Sequence, residues 1–475
     1  MALNAVKTTE VVHSSLEKVL QKQQQAFRET PYPALHSRRQ KLESLKQAIL
    51  INKDNLTAAL SNDFGHRSVH DSMFTDIMPS ILNINYILKN LKKWLKPSKR
   101  HSGLMLSPAK VEVQYQPLGV VGIIVPWNFP LNLSLNPLAT ALAAGNRVML
   151  KMSEFTPSTN AVVKKMLAET FGEDEVCIIE GEAEVAAEFS SLPFDHLLFT
   201  GSTTVGKHVM RAAADNLTPV TLELGGKSPS LITPDMDIVT AAKRLAYGKC
   251  LNAGQICVAP DYVLLPENKK QPFIEAYIAT FNQMYPDFVN NDDYTHIIND
   301  KQHQRLQSWL ADAKAKGAKV FSAAPEALSG RKMATQLLTN VTDDMQVMQE
   351  EIFGPLLPII GYDSIEQAIQ YVNARPRPLA LYIFGFDNAQ NQMICQQTHS
   401  GGVAINDTVV HVAADDAPFG GIGPSGMGHY HGHEGFQTFS KAKTVLKQGR
   451  FNSTRFVYPP YDTWLQKMLL KVFVR

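Results

Sequence analysis

Apolar residues recur at helical spacing over residues 11–27, 42–60 and 73–95, so the first hundred residues predict three helices. The rhythm then changes. Val111-Glu-Val-Gln-Tyr115 alternates, as a half-exposed strand does, whereas 120–125 is apolar throughout, the pattern of a buried strand. Residues 131–144 predict a helix stopped by Gly145. A strand follows over 148–151, then a helix opening near Thr156-Pro157. Short strands are predicted at 176–179, 196–199 and 220–222, with helices between them. This alternation places the chain in the α/β class, with a parallel, doubly wound sheet whose ligands sit at the strands' carboxyl ends. A second α/β set is predicted from Pro229 to about Ile405, with a helix at 237–247 and strands at 262–265 and 356–360. The tail from 451 is mixed, with a weak amphipathic helix over 462–473, and no internal repeat or low-complexity segment is present.

With 475 residues the chain exceeds what one core organises, and two or three domains are expected. Its 44% apolar and 19% charged composition is that of an ordinary globular protein. A net charge of +2 gives no reason to expect nucleic acid or an anionic membrane as partner. The cysteines at 177, 250, 257 and 395 form no CxxC pair and no disulfide framework, and residues 1–10 have no apolar secretory core. A cytoplasmic protein is therefore expected. Residues 113–146 lack any charge and are long enough to cross a bilayer. Pro126, Pro130 and Pro137 interrupt that run, and Asn128, Asn132 and Asn136 would need partners in lipid, so a buried strand, turn and helix is expected and no integral membrane segment.

Candidate chemistry centres on Asn-Ala-Gly-Gln-Ile-Cys-Val-Ala-Pro-Asp-Tyr at 252–262. Gly254 permits a turn that a side chain would forbid, Pro260 limits any helix, and Cys257 falls in the loop between them. A thiol on a loop held by a rigid scaffold suits a nucleophile; an arbitrary cysteine is more often a small buried hydrophobe, which is how Cys250 is read. Asn128, in Pro-Trp-Asn-Phe-Pro at 126–130, stands at a strand's carboxyl end, fit either for an Asx turn or to donate its amide to an oxyanion. Glu223 ends an apolar strand before Gly225 and Gly226, as either an exposed strand-end charge or a mobile general base, and the glycines favour the base by giving room for a ligand or for movement. Residues 199–208 follow a strand and open a helix with Gly201, Ser202 and Gly206, a seat for a pyrophosphate; His208 stands where a P-loop needs a hydroxyl. Residues 350–355 offer a carboxylate for a ribose beside an aromatic ring. His429, His431 and His433 alternate and would face apart in an extended segment, so no metal is expected.

Together these blocks resemble the NAD(P)-dependent aldehyde dehydrogenase superfamily over about residues 42–445. They are Pro-Trp-Asn-Phe-Pro at 126–130, Leu-Glu-Leu-Gly-Gly-Lys at 222–227, Gly-Gln-Ile-Cys at 254–257 and Glu-Ile-Phe-Gly-Pro at 351–355. Residues 258–262, 375–382 and 418–428 resemble the class 3 branch, and Gly-His-Tyr-His-Gly-His-Glu-Gly at 428–435 is similar to bacterial coniferyl aldehyde dehydrogenases. The resemblance implies a cofactor domain (1–95 and 118–224), a catalytic domain (225–416), a small β oligomerisation arm (96–117 and 440–450) and a tail (451–475). It implies oxidation of an aldehyde, aromatic such as coniferyl aldehyde or medium- to long-chain aliphatic, to the acid. Cys257 would attack the aldehyde, Asn128 would meet the oxyanion, and Glu223 would activate water against the thioester. Lys151 and Glu154 would face the adenosine ribose, Gly201, Ser202 and Gly206 the pyrophosphate, Glu351 and Phe353 the nicotinamide ribose, and Trp127 the cleft. NAD is the implied cofactor, with NADP the alternative, and a homodimer the implied assembly. A CoA-acylating enzyme and a catalytically silent relative are the competing expectations; the presence of Glu223 and of all the motifs weighs against them. Met152 departs from the proline that many relatives carry after the lysine.

Overall fold

A computed structural model describes residues 2–324 and 330–474. The chain builds three sheets. In the six-stranded sheet the order is Gly426–Met427, Val220–Leu224, His196–Gly201, Val120–Ile124, Arg147–Lys151 and Val176–Ile179; all pair in parallel except the short Gly426–Met427 edge. Val120–Ile124 lies at its centre and explains its own unbroken apolar run. Successive side chains of a strand point to opposite faces, so Val121 and Ile123 enter a core with Leu42, Leu60 and Leu138, while Val120 and Ile124 enter another with Leu16, Leu20 and Phe189. Helices cover both faces, as a parallel sheet requires.

The seven-stranded sheet runs Lys319–Ser322, Gln336–Thr339, Leu356–Tyr362, Tyr262–Pro266, Pro229–Ile232, Ala380–Phe384 and Gly402–Ile405, parallel apart from its first pair. The chain crosses from one large sheet to the other between Leu224 and Pro229. Ser98–Arg100, Lys110–Pro117 and Ser440–Lys447 form a third, antiparallel sheet, in which the two long strands pair along their full length, from Ser440 against Pro117 to Lys447 against Lys110. The alternation read at 111–115 is not reproduced: all five residues are half-buried, because this strand is the middle one of a thin sheet.

Two expected helices differ in ways that matter for the site. The helix read at 73–95 is Met78–Trp94, entered through a π-helical turn at Met73–Ile77. Pro79, in its first turn, has no N–H to offer the Thr75 carbonyl, and that carbonyl accepts the Asn132 side-chain amide at 2.8 Å instead. The helix read at 237–247 is Ile238–Cys250, capped by Asp237, whose carboxylate accepts the Thr240 N–H at 2.8 Å. It ends seven residues before Cys257, so Cys250 and Cys257 share no helix face. Cys250 is buried within reach of the Tyr277 and Thr335 hydroxyls, as a packing residue. The tail helix is Trp464–Phe473, closed by a capping box of Thr463 and Gln466. Among the described residues no helix is long and apolar enough to cross a membrane.

Candidate active site

Four neighbouring parallel strands of the six-stranded sheet end on one edge. Ile124 is in register with Lys151 on one side and Phe199 on the other, and Gly201 with Leu224. The residues just beyond those ends therefore cluster: Trp127 and Asn128, Lys151 to Glu154, Gly201 and Ser202, and Glu223 to Gly226. Ligands of doubly wound sheets bind at such an edge. The seven-stranded sheet presents to it the loops before two adjacent strands, one carrying Cys257 and the other Glu351 and Phe353.

The Cys257 loop is a strained turn. Asn252, Ala253 and Gly254 have φ of 47°, 52° and 72°, three left-handed residues in a row. A Cβ on Gly254 would lie 2.6 Å from the Gly354 carbonyl oxygen, so only glycine lets this loop pack on the 351–355 segment. Gln255 is fully buried and locks the turn: its amide donates to the carbonyls of Asn252 (3.0 Å) and His296 (3.1 Å), and its Oε1 accepts from the Ile298 N–H (2.9 Å). The Asn128 side-chain amide donates to the Gln255 carbonyl at 3.1 Å, two residues before Cys257. Asn128 and the cysteine loop are thus joined directly. Cys257 is a free, half-buried thiol. Burial pushes it up to about 12, with the charges of Glu351 and Glu223 adding, while the N–H groups of Cys257 and Val258 oppose the shift by donating toward the sulfur.

Glu223 is buried and neither carboxyl oxygen has a hydrogen-bond partner. Burial drives its carboxyl well above the usual carboxylate range. Glu351 reaches across to the glycine pair, where a Cβ on Gly225 would overlap its carboxylate. Burial, with Asp261, raises it to about 8 against the pull of the Gly226 N–H, Lys227 and Arg305. Phe353 holds φ of 46°, an outlier for an aromatic residue, and its ring meets Trp127 edge-on at 5.3 Å.

The expected cofactor residues sit along the same edge. Lys151 is buried at its strand end, donating to the Met152 carbonyl at 2.7 Å, and burial lowers its ammonium. Glu154 follows, exposed. Ser202 caps the helix Thr203–Ala214, its hydroxyl accepting the Val205 N–H at 3.4 Å. Gly206 brings that helix onto the strand: a Cβ there would come within 2.7 Å of Leu224. A glycine-lined helix N-terminus, a lysine two strands away at the same edge and the unpartnered Oε1 of Glu351 fit a dinucleotide.

Several residues of this site were not read from the sequence. Lys227 pairs with Asp261 and donates to the carbonyls of Val347 (2.6 Å) and Glu350 (3.0 Å), while Asp261 accepts from the Ile352 N–H (2.8 Å). Together they pin the 347–353 segment to the glycine pair. The Tyr382 hydroxyl donates to the Val258 carbonyl and accepts from the Val409 N–H at 3.2 Å. Buried Tyr430 stands near Glu223 and Cys257, whose charges add to the rise that burial imposes on its hydroxyl. His431 stacks on Phe419 at 5.3 Å, and His411 meets Phe419 at 6.1 Å and Tyr382 at 5.9 Å. His433 instead stacks on Trp94 at 5.7 Å. Among the described residues no group of three or more His, Cys, Asp or Glu is placed to hold a metal ion. Lys227, Asp261 and Tyr382 fall in motif blocks but their partners lie far along the chain, and for the aromatic wall only the cluster of aromatic and histidine letters near 430 was a signal.

The chain's residues 5–445 match the model of the aldehyde dehydrogenase family. It is 54% identical over 462 residues to a probable coniferyl aldehyde dehydrogenase of Pseudomonas aeruginosa, covering 97% of each chain. Among solved structures it is similar to a substrate-bound AldH of Staphylococcus aureus, with TM-score 0.92 and 38% identity over 97% of this chain and 99% of that one. It is also similar to a Mycobacterium tuberculosis aldehyde dehydrogenase complexed with NAD+, with TM-score 0.84 and 31% identity over 93% and 91% of the two chains. The chain belongs to the aldehyde dehydrogenase family. It is an oxidoreductase that oxidises aldehydes to acids, as the motif blocks implied.

Proposed function

We propose that Cys257 is the nucleophile, Asn128 the oxyanion donor and Glu223 the base of an NAD-dependent oxidation of aromatic aldehydes, coniferyl aldehyde among them. The observation that carries this is the hydrogen bond from the Asn128 amide to the Gln255 carbonyl, which ties the donor to the loop of the half-buried Cys257 thiol. An aldehyde gives up hydride only after its carbon becomes tetrahedral. The Cys257 sulfur adds to that carbon, and the new oxyanion lies within reach of the Asn128 amide and the Cys257 N–H. NAD, when bound, supplies the hydride acceptor, its ends held by Lys151, Glu154, Gly201, Ser202 and Gly206 and by Trp127, Glu351 and Phe353. The acyl group left on Cys257 is a thioester. Glu223, ionised, takes a proton from water, and the hydroxide releases the acid and restores the thiol.

The exposed Glu154 carboxylate favours NAD over NADP, since it would repel a 2′-phosphate. Aromatic substrates are supported by the wall of Tyr382, Phe419, Tyr430 and His431. A Cβ on Gly420, next to Phe419, would collide with the Gly428 carbonyl and lie 3.3 Å from a Glu223 oxygen, so the backbone beside Phe419 runs close to Glu223. We further assign residues 1–95 and 118–224 to cofactor binding, 225–416 to catalysis, and 96–117 with 440–450 to the joining of two copies. The edge strands Ser440–Lys447 and Gly402–Ile405 each lack a second neighbour among the described residues, and such edges invite pairing. Four unpaired cysteines support a cytoplasmic setting. The test is reduced-cofactor absorbance with coniferyl aldehyde, benzaldehyde and octanal: kcat/KM is expected highest for coniferyl aldehyde and no acyl-CoA should form when CoA is added. A preference for octanal would overturn the aromatic assignment.

A further inference from the structure

Arg67 lies outside every motif, yet its buried guanidinium is among the most heavily engaged groups near the site. Nη1 donates to the Asn128 carbonyl at 3.2 Å. Nη2 donates to the Thr75 hydroxyl at 2.8 Å and pairs with the Asp76 carboxylate at 2.9 Å, both side chains of that pair being wholly buried. The guanidinium carbon lies 5.1 Å from the Phe64 ring and 5.0 Å from the Phe129 ring. Asp76 in turn accepts the Asn132 N–H at 2.8 Å, and the Thr75 carbonyl freed by Pro79 accepts the Asn132 amide. One ion pair therefore grips the 128–132 segment at both ends. The Asn128 carbonyl also receives the Asn252 amide at 3.2 Å, from the cysteine loop. With two donors on one oxygen, the peptide plane after Asn128 is fixed between the Arg67 fork and the Cys257 turn.

A buried ion pair is a poor stability device, because the desolvation of two charges offsets their attraction. Its value here lies in geometry. We propose that Arg67, held by Asp76, is a positioning residue that orients the Asn128 peptide and so aims the Asn128 side-chain amide at the substrate oxygen. This deepens the function proposed above and holds only if Asn128 is the oxyanion donor.

The test compares steady-state kinetics of the full-length enzyme with Asn128→Ala, with the paired replacement Arg67→Met/Asp76→Leu, and with all three changes together. Replacing both charges avoids leaving Asp76 buried and unpaired; Asp71, 4.0 Å from Arg67 Nε, keeps the Thr295 hydroxyl as donor at 2.8 Å. The paired variant is expected to lose about 10- to 100-fold in kcat, the scale of a small misplacement of a catalytic group, with the Kd for NAD unchanged within about twofold. Added to Asn128→Ala, the pair should cost no more than about a further twofold, because its effect passes through the same amide. Full kcat in the paired variant, or losses that multiply in the triple variant, would overturn the proposal. Should Asn128→Ala itself retain full kcat, the oxyanion assignment fails, and the positioning role with it. If the paired variant does not fold, Arg67→Lys keeps the charge opposite Asp76 but lacks the fork needed to serve Asn128 as well. It is expected to show the same fall in kcat, coupled in the same way to Asn128→Ala, and wild-type kcat there would equally overturn the proposal.

Discussion

At the scale of single residues, the site is built from groups held away from their ordinary charge states. Cys257 and Glu223 are both pushed toward their neutral forms by burial, and the charges of Glu351 and Glu223 make the thiol's ionisation harder still. Only the thiolate attacks carbon, so the sign of the pH dependence follows. With the folded value raised to about 12, the thiolate fraction is small at pH 7 and grows about tenfold per pH unit below that value. Iodoacetamide alkylation of Cys257 in cofactor-free enzyme should accelerate by about 100-fold between pH 7 and pH 9. A rate flat over that range would mean the thiolate is already formed, against the burial argument. The carboxyl oxygens of Glu223 have no hydrogen-bond partner, which suits the proposed base, since a group that must meet a transient water cannot be tied to a permanent donor.

At the scale of elements, function comes from where strands and helices stop. The helix Ile238–Cys250 ends early, and three left-handed residues turn the chain so that the Gln255 carbonyl, two residues before Cys257, meets the Asn128 amide and Gly254 packs on Gly354. Gly254→Ala would force a Cβ toward the Gly354 carbonyl at a left-handed φ, a strain of roughly 1–3 kcal/mol. It should lower kcat at least tenfold while leaving the Kd for NAD within about twofold; unchanged kcat would show that the turn does not set the thiol's position. Most of the strand–helix alternation was legible because apolar runs and glycine stops are local signals, as with 120–125 and Gly145. The strands Ala380–Phe384 and Gly402–Ile405 and the helices between Lys270 and Gln397 were read only as an undivided α/β set. Cys257, Asn128 and Glu223 were legible through their glycine- and proline-marked motifs. Arg67 was not, and Lys227, Asp261 and Tyr382 stood in those blocks with no role of their own, since each matters through a partner brought near by topology, and no spacing along the chain encodes that. The π-helical turn at Met73–Ile77 escaped for a related reason: Pro79 shows in the sequence, but Asn132, which takes up the freed carbonyl, lies more than fifty residues on.

At the scale of the whole molecule, the six-stranded sheet presents strand ends on one edge and the seven-stranded sheet the loops before Tyr262–Pro266 and Leu356–Tyr362, and the proposed reacting groups lie on these two sets of segments. The third sheet contributes nothing to that edge and leaves Ser440–Lys447 open along its outer side. In solution the enzyme should sediment at twice the chain mass. Leu446→Asp, at a half-exposed position of that strand, should weaken association about tenfold, or about 1.4 kcal/mol. A wild-type protein that sediments as one chain at micromolar concentration would remove the dimer from the account. The central claim concerns the sulfur. Glu223→Gln, mixed with coniferyl aldehyde and NAD and quenched in acid, should yield one reduced cofactor per chain and one acyl group on the peptide containing Cys257, found by mass spectrometry. Reduced cofactor formed without that adduct, or an acyl group on Cys177, Cys250 or Cys395 instead, would contradict it.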